Sequence, residues 1–169
     1  MKKLMGIAAI AAAVFTLGMT AVSAEAEQIT NVQAQEIAIK HAKVGREQAN
    51  FIKEELKYEA GTPVYKLEFY AKGKIYKYDI NADTGDIMKK KTKARMTAPS
   101  DKLIGIEKAK SIAAAQVQGA SEKDVKKVSL DKDNGRSVYE VDLLTSDRKY
   151  EFKIDAETGA VVESEMETR

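Results

Sequence analysis

The sequence of 169 residues contains no cysteine and no tryptophan, and it has one histidine and two prolines. Without cysteine the chain forms no disulfide and has no thiolate nucleophile. One histidine cannot assemble a structural zinc site or a Cys–His pair within one chain. Stability must therefore come from apolar burial, for which a chain of this length is sufficient.

Long apolar runs are confined to the N-terminus. Lys2 and Lys3 precede the uncharged residues 4–22, and Val22-Ser23-Ala24 has the small-x-small pattern that signal peptidase cuts. We therefore predict a signal peptide over residues 1–24 and an exported mature chain; an uncleaved membrane anchor is the alternative. Without Lys2 and Lys3 the basic and acidic residues balance, so the precursor's pI of about 8.6 does not indicate nucleic-acid binding.

The chain repeats itself with a period of about 75 residues. Residues 64–88 align with residues 138–162 at a constant offset of 74, and seven positions are identical. Upstream, the segments "ITNVQAQEIA" and "IGIEKAKSIA" align at an offset of 75. Such a period indicates a duplicated structural unit.

Each unit has the same predicted order of elements. Apolar residues at helical spacing predict helices over residues 30–43 and 105–118. Alternation in "VYKLEFY", "IYKYDI" and their copies predicts paired strands, with shorter flanking strands on either side. The predicted class is α+β, in two tandem repeats that each pack one helix on an antiparallel sheet of about four strands. Whether the repeats share one core is left open by the sequence.

The stretch "YDINADTGDI", residues 78–87, has the alternating oxygens of a calcium loop. Its glycine, Gly85, comes one place too late, and the position of the bidentate glutamate is Lys90. The second copy begins with Lys153 instead of an aspartate. We therefore interpret both stretches as hairpin turns in which Asn81 and Asp155 bond back to their own backbone, with no metal.

The strands and this turn resemble the core of the PepSY domain. The family pattern is a Y-x-V/L strand, a hairpin and then Y-x-Y/F-x-I-D/N-A-x-T-G-x-I/V, which residues 64–88 and 138–162 both match. The preceding "AQEIAIKHA" resembles the family's helix, whereas "AAAQVQGA" in the second copy departs from it. The resemblance implies a cystatin-like or beta-lactamase-inhibitor-like unit, with repeats over residues 25–91 and 102–169 and a linker over residues 92–101.

Catalytic motifs are missing from the sequence. No G-x-S-x-G turn and no glycine-rich phosphate loop occur. His41 lies at the edge of a helical apolar stripe, and its counterpart in the second repeat is Gln116, so we interpret it as a partly buried or solvated residue. Carboxylates in the strands alternate outward with lysines, as on a solvated face. The sequence predicts no enzyme and no cofactor.

The candidates for partner binding are Tyr70, Lys72 and Leu144. Tyr70 alternates outward beside the predicted Lys72-Gly73 hairpin, and its counterpart is Leu144. An exposed apolar residue at a hairpin tip can anchor a partner, although isolated surface apolar residues are ordinary. The stretch around the predicted linker is polar and basic, and its cluster Lys89–Arg95 could contact anionic lipid or wall polymer instead of only joining the repeats.

The resemblance implies a function as well as a fold. PepSY domains occur in propeptides of secreted metallopeptidases and in exported bacterial proteins, where restraint of peptidase activity is their proposed role. The expected function is therefore an exported, non-catalytic module that regulates a peptidase, acting in trans because no peptidase domain is attached. The alternative is a structural or ligand-sensing envelope protein that binds peptide, wall polymer or a membrane surface.

Overall fold

The computed structural model describes residues 28–95, 99–100 and 102–169. The predicted signal peptide lies outside them. Within these ranges, no helix is long and apolar enough to cross a membrane. The helices and strands, in chain order, are α1 Asn31–Ala42, β1 Asn50–Glu59, β2 Thr62–Ala71, β3 Lys74–Asn81, β4 Ile87–Ala94, α2 Ile106–Ala115, β5 Val125–Asp133, β6 Arg136–Leu144, β7 Arg148–Asp155 and β8 Val161–Thr168.

All eight strands belong to one antiparallel sheet, in the order β4-β3-β2-β1-β5-β6-β7-β8. The predicted α+β class and the order of one helix followed by four strands are confirmed for each repeat. The expectation of a separate sheet for each repeat needs correction, because β1 and β5 pair with each other and join the two sets of strands. Backbone groups that would have formed two free edges are thereby satisfied in the middle of the sheet.

The joint between β1 and β5 is symmetric. Glu54 lies opposite Val128, and Lys53 and Glu55 lie opposite Ser129 and Lys127. Because Glu54 and Val128 occupy equivalent positions of the 74-residue repeat, a pseudo-two-fold axis passes between them. We call this joint the seam. The repeats therefore associate as two like subunits would, within one chain.

Both helices lie on the same face of the sheet and share one core. Small residues such as Ala34 and Ala38 in α1, and Ala109 and Ala113 in α2, are fully buried and allow close packing on the strands. The buried apolar residues of both repeats, including Phe69 and Tyr139, form a single cluster. The structure thus resolves the question left open by the sequence: the duplication produces one core.

Local sequence chemistry sets the start of the first helix as predicted. The Thr30 hydroxyl accepts a hydrogen bond from the amide of Gln33 at 3.2 Å, and the Gln33 side chain accepts one from the Thr30 amide at 2.7 Å. This reciprocal capping box satisfies two of the free amides of the first turn. Gly105 precedes α2 without a side-chain cap, because it has no side chain to accept a bond.

The flanking strands are longer than the sequence predicted. β1 and β5 have 10 and 9 residues. The first residues of the predicted linker, from Thr92 to Ala94, belong to β4 instead, and the Arg95 amide still bonds to the Gly73 carbonyl at 2.9 Å. Pairing with β3 along its whole length overrides the polar composition of this strand, since an edge strand exposes its side chains to water.

Candidate functional site

The three predicted contact residues do not form one site. Tyr70 and Leu144 are half-buried on the face of the sheet that the helices leave open. Tyr70 is the penultimate residue of β2, and Leu144 is the last residue of β6. Because β2 and β6 run in opposite directions, the two side chains lie at opposite ends of this face. Lys72 donates a hydrogen bond to the Lys43 carbonyl at 3.1 Å, which ties the hairpin to the end of α1.

The helix-free face is covered by charged side chains in cross-strand pairs. Lys66 contacts Asp79 at 3.3 Å and Glu59 at 2.9 Å, and Lys77 contacts Glu68 at 2.6 Å. In the second repeat Lys153 contacts Glu163 at 2.8 Å. Each exposed pair contributes little to stability. Together they agree with the prediction of a solvated face of alternating charges.

The seam contains charged groups that are buried. Glu54 of β1 is 5% exposed and Lys110 of α2 is 3% exposed, and the Lys110 ammonium lies 2.9 Å from the Glu54 carboxylate. Lys110 also contacts Glu107, one helical turn away, at 2.9 Å. A buried ammonium with two carboxylate partners has lost water but gained charge-assisted hydrogen bonds in exchange.

Amide side chains complete the seam cluster, which comprises Glu54, Lys110, Gln35, Asn31 and Glu107. The Gln35 amide donates to the Glu54 carboxylate and, at 3.1 Å, to Glu107. The Asn31 amide donates to Glu54 at 3.2 Å. Gln35 is the α1 counterpart of Lys110, so equivalent positions of the two helices converge on one carboxylate. The cluster therefore connects α1, α2 and β1 across both repeats.

The pKa values of both members of the pair are raised, but for different reasons. Burial raises the pKa of the Glu54 carboxyl, and the Lys110 ammonium opposes that effect only in part. Burial alone would lower the pKa of Lys110, but Glu54 and Glu107 outweigh it, so this pKa is raised too. The ammonium therefore stays charged, because its two carboxylate partners lie within 2.9 Å.

A groove of about 400 Å³ opens above the seam cluster. Its floor includes Glu54 and Lys110, and its walls include the apolar side chains of Val32, Leu56 and Val125. The start of α1 borders one side, and the turn before β5 borders the other. A concave site with apolar walls and a few convergent polar groups at its base is suited to holding a side chain or a short segment of a partner.

Sequence reasoning missed this cluster for an identifiable reason. The strand carboxylates were predicted to face outward, which is wrong for Glu54, because a register shift between Phe51 and Lys53 turns it toward the helices. The helices did contain a pattern that could have revealed the buried polar cluster. Gln35 and Lys110 both fall on the apolar stripe of their helix, one residue after the buried Ala34 and Ala109.

His41, the single histidine, has a structural contact. Its side chain is exposed, and Nδ1 lies 3.0 Å from the hydroxyl of the buried Tyr78. The equivalent residues in the second repeat are Gln116 and Phe152, and the phenylalanine has no hydroxyl that would need a partner. This contact satisfies the Tyr78 hydroxyl where the strand meets α1.

The two glycine turns are closed by their own side chains, as predicted. The side-chain oxygen Oδ1 of Asn81 accepts bonds from the amides of Asp83 at 2.8 Å and Thr84 at 3.1 Å. Asp155 accepts from Glu157 at 3.1 Å and Thr158 at 2.8 Å, and these amides hold the pKa of Asp155 below its ordinary value. Oxygens already engaged by backbone amides are poorly placed to bind a cation. Among the residues with described positions, no His, Cys, Asp and Glu cluster has metal-ligand geometry.

The class of protein follows from the duplicated helix-and-strand unit with its glycine turn. Residues 28–91 and 103–165 each match the family described as "Peptidase propeptide and YPEB domain", or PepSY. The chain therefore belongs to the PepSY family, with two tandem copies of the domain. The resemblance read from the strands and turns is confirmed.

Individual relatives add little to the family assignment. The protein Spy1430 of Streptococcus pyogenes serotype M6, which is uncharacterized, is 36% identical over 87 residues. The match covers 50% of this chain and 65% of the streptococcal protein, so it spans less than two thirds of that relative. The crystal structure of CD1622 from Clostridium difficile 630, described as a "putative lipoprotein", aligns with a TM-score of 0.48 and 22% identity over 86% of this chain and 98% of that one. A likeness of this degree says nothing about function.

Proposed function

We propose that this protein is an exported, non-catalytic PepSY module that binds a peptidase outside the cytoplasm and restrains it. The observation that carries the proposal is the groove above the seam cluster in a chain whose two domains belong to a peptidase-propeptide family. In this account the groove receives a segment of the peptidase, and the chain supplies no reactive group of its own.

The groove has the properties of an anchor site. Val32 is 51% exposed at the upper edge of the groove wall, while the seam cluster below is fixed by hydrogen bonds from two helices. A preorganised floor limits the entropy that binding must overcome. An apolar side chain of the partner would bury against Leu56 and Val125, and a polar group at its tip would meet the charged floor.

The helix-free face offers a second contact surface. Seven strand spacings of about 4.8 Å make the sheet roughly 34 Å wide, and eight residues span about 26 Å along each strand. A face of that size matches the area that each partner contributes to a typical stable interface. Tyr70 and Leu144 stand at its two ends, and their role in binding stays a prediction, as does that of Lys72.

The test is inhibition of peptidases secreted by the source organism, with a thermolysin-type zinc peptidase included as a probe. We expect the purified protein to lower hydrolysis of a peptide substrate at micromolar concentration and to form a complex. Val32→Glu should weaken the inhibition by about tenfold or more, because a charge at the rim opposes burial of an apolar segment.

A matched control separates the groove from general surface effects. Val162 of β8 is also 51% exposed but lies far from the groove, so Val162→Glu should inhibit as the unchanged protein does. No inhibition and no complex with any secreted peptidase would refute the proposed function. Equal effects of the two substitutions would refute the groove as the site.

The alternative is a structural or ligand-sensing envelope module that binds peptide, wall polymer or a membrane surface. The observation in its favour is β4, where Lys89, Lys90, Lys91 and Lys93 are all exposed. Binding to anionic vesicles or to cell-wall material that is lost in high salt would support this function. Val32→Glu would leave such binding unchanged.

A further inference from the structure

The two outermost strands of the sheet carry opposite charges at equivalent positions. On the helix-free face β4 presents Lys89, Lys91 and Lys93, and β8 presents glutamates at the positions 74 residues later. These glutamates are Glu163, Glu165 and Glu167. Every residue of both strands after the first is exposed. One edge of the sheet is therefore basic and the other acidic.

Much of this charge has no partner within the chain. Among the residues whose positions are described, Lys89, Lys91 and Lys93 of β4 lie in no ion pair, and neither do Glu165 and Glu167 of β8. Glu163 contacts Lys153 at 2.8 Å. The same edges hold exposed apolar side chains. Met88 on β4, and Val162 and Met166 on β8, are each more than half exposed.

Charged edge strands usually prevent sheets from joining. Here like charges repel each other when two identical edges meet. Pairing of β4 with β4 would set lysines beside lysines, and pairing of β8 with β8 would set glutamates beside glutamates. Opposite signs leave the mixed pairing attractive, since opposite charges across a strand pair stabilise it. The charges on this sheet therefore select one mode of edge pairing and oppose the other two.

Strand direction permits the mixed pairing. Neighbours in the sheet are all antiparallel, so β4 and β8, the first and last of eight strands, run in opposite directions. A second copy in the same orientation places its β4 antiparallel to β8 of the first copy. The two repeats also share one register, because Lys74 faces Ala94 as Arg148 faces Thr168. Backbone groups therefore point outward at equivalent positions on both edges.

We propose that copies of this protein associate edge to edge, with β8 of one copy pairing with β4 of the next. In this register Glu163 lies opposite Lys93, Glu165 opposite Lys91, and Glu167 opposite Lys89. The contact is heterologous, so it leaves a basic edge and an acidic edge free at the ends of every assembly and can repeat. The helices of successive copies lie on the same side of one extended sheet.

Sedimentation velocity over protein concentrations up to the millimolar range tests this association. We expect the mean sedimentation coefficient to keep rising with concentration at low ionic strength. At about 0.5 M salt, where charges are screened within a few ångströms, association should weaken by about tenfold or more. A species that stops at the dimer, or a protein that stays monomeric throughout, would overturn the proposal.

Charge reversal supplies the decisive comparison. One variant carries Lys89→Glu, Lys91→Glu and Lys93→Glu and has two acidic edges, and the other carries Glu163→Lys, Glu165→Lys and Glu167→Lys and has two basic edges. Each should be monomeric alone, and an equal mixture of the two should associate. A control with Lys40→Glu, Lys108→Glu and Lys123→Glu, which changes three exposed lysines away from both edges, should associate as the unchanged protein does.

The mixture also distinguishes self-association from other uses of the basic edge. A mixture that stays monomeric while each variant shows native circular dichroism contradicts the proposal, as does association that neither reversal affects. Binding of a monomeric protein to vesicles containing phosphatidylglycerol, lost on reversal of β4, would assign that edge to a membrane surface instead.

Cross-linking gives a second readout that does not depend on charge reversal. The chain contains no cysteine, so Lys91→Cys and Glu165→Cys can each introduce a single thiol. Oxidation of a mixture of these two variants should yield mainly the mixed disulfide dimer, since the two positions face each other in the proposed register. Cross-linking of the mixture no faster than of either variant alone would contradict that register.

Discussion

Glu54 and Val128 occupy the same position of the two repeats and face each other across the seam. The first repeat supplies a carboxylate there, and the second supplies an aliphatic side chain. The helices differ in the corresponding way, with Gln35 in α1 and Lys110 in α2. At the scale of single residues, the repeats have diverged where they meet, and one charged pair now distinguishes the two halves of the seam.

Removing one member of this pair should cost more than removing both. Glu54→Val, which copies the residue of the second repeat, should lower the free energy of unfolding by about 3 kcal/mol or more, because Lys110 then keeps only Glu107 as a charged partner. Adding Lys110→Leu should recover most of that loss, since an apolar pair of similar size satisfies the site. Urea unfolding of the unchanged protein, Glu54→Val, Lys110→Leu and the double variant measures this cycle.

The raised pKa of Glu54 gives the same variants a dependence on pH. A carboxyl whose pKa is higher in the folded state binds its proton more readily there, so its contribution to stability is present at low pH and is lost as pH rises through the folded pKa. The destabilisation caused by Glu54→Val should therefore grow as pH falls from neutral toward 4.5, the ordinary pKa of a glutamate. A destabilisation that shrinks over this range would show that the shift has the opposite sign.

At the scale of elements, each glycine turn packs under the helix of its own repeat. The Ile104 amide, just before α2, bonds to the Ala156 carbonyl of the turn at 2.9 Å, and Ile29 bonds to Ala82 in the same way at 2.8 Å. Gly159 has a φ of +78°, and a methyl group added there would lie 3.0 Å from the Cδ1 atom of Ile112 in α2. This glycine is required both by backbone conformation and by packing.

Substitution of two glycines separates these requirements. Gly159→Ala should lower the free energy of unfolding by about 2 kcal/mol or more, through left-handed strain and overpacking together. Gly135→Ala has a similar φ of +83° but meets no atom within 4 Å, so it should cost only the strain, about 1 kcal/mol. Denaturant unfolding measures the loss of stability in each variant. Equal losses in the two variants would mean that the turn at Gly159 does not pack closely against α2.

The elements themselves could be predicted from the sequence better than their assembly. The capping box at Thr30, the apolar stripes and the alternating strands are local patterns, and they located both helices and all eight strands. The pairing of β1 with β5 is not local, because no hairpin connects these strands and other partners could satisfy the same backbone groups. Glu54 was missed because a one-residue irregularity reverses which side chains face the helices.

The whole molecule is a duplicated unit folded as one sheet over one core. The seam joins the repeats through strand pairing, and Lys110 of the second repeat is buried against Glu54 of the first. Charge is divided between the repeats, since residues 25–98 carry 14 basic and 11 acidic groups, and residues 99–169 carry 12 and 15. In this account the join creates the groove, and the division of charge creates two unlike edges.

Differential scanning calorimetry tests the single core most directly. If the repeats share one core, the protein unfolds in one transition whose calorimetric and van't Hoff enthalpies agree. Two resolved transitions, or a van't Hoff enthalpy close to half of the calorimetric value, would mean that the repeats unfold independently and would contradict the account.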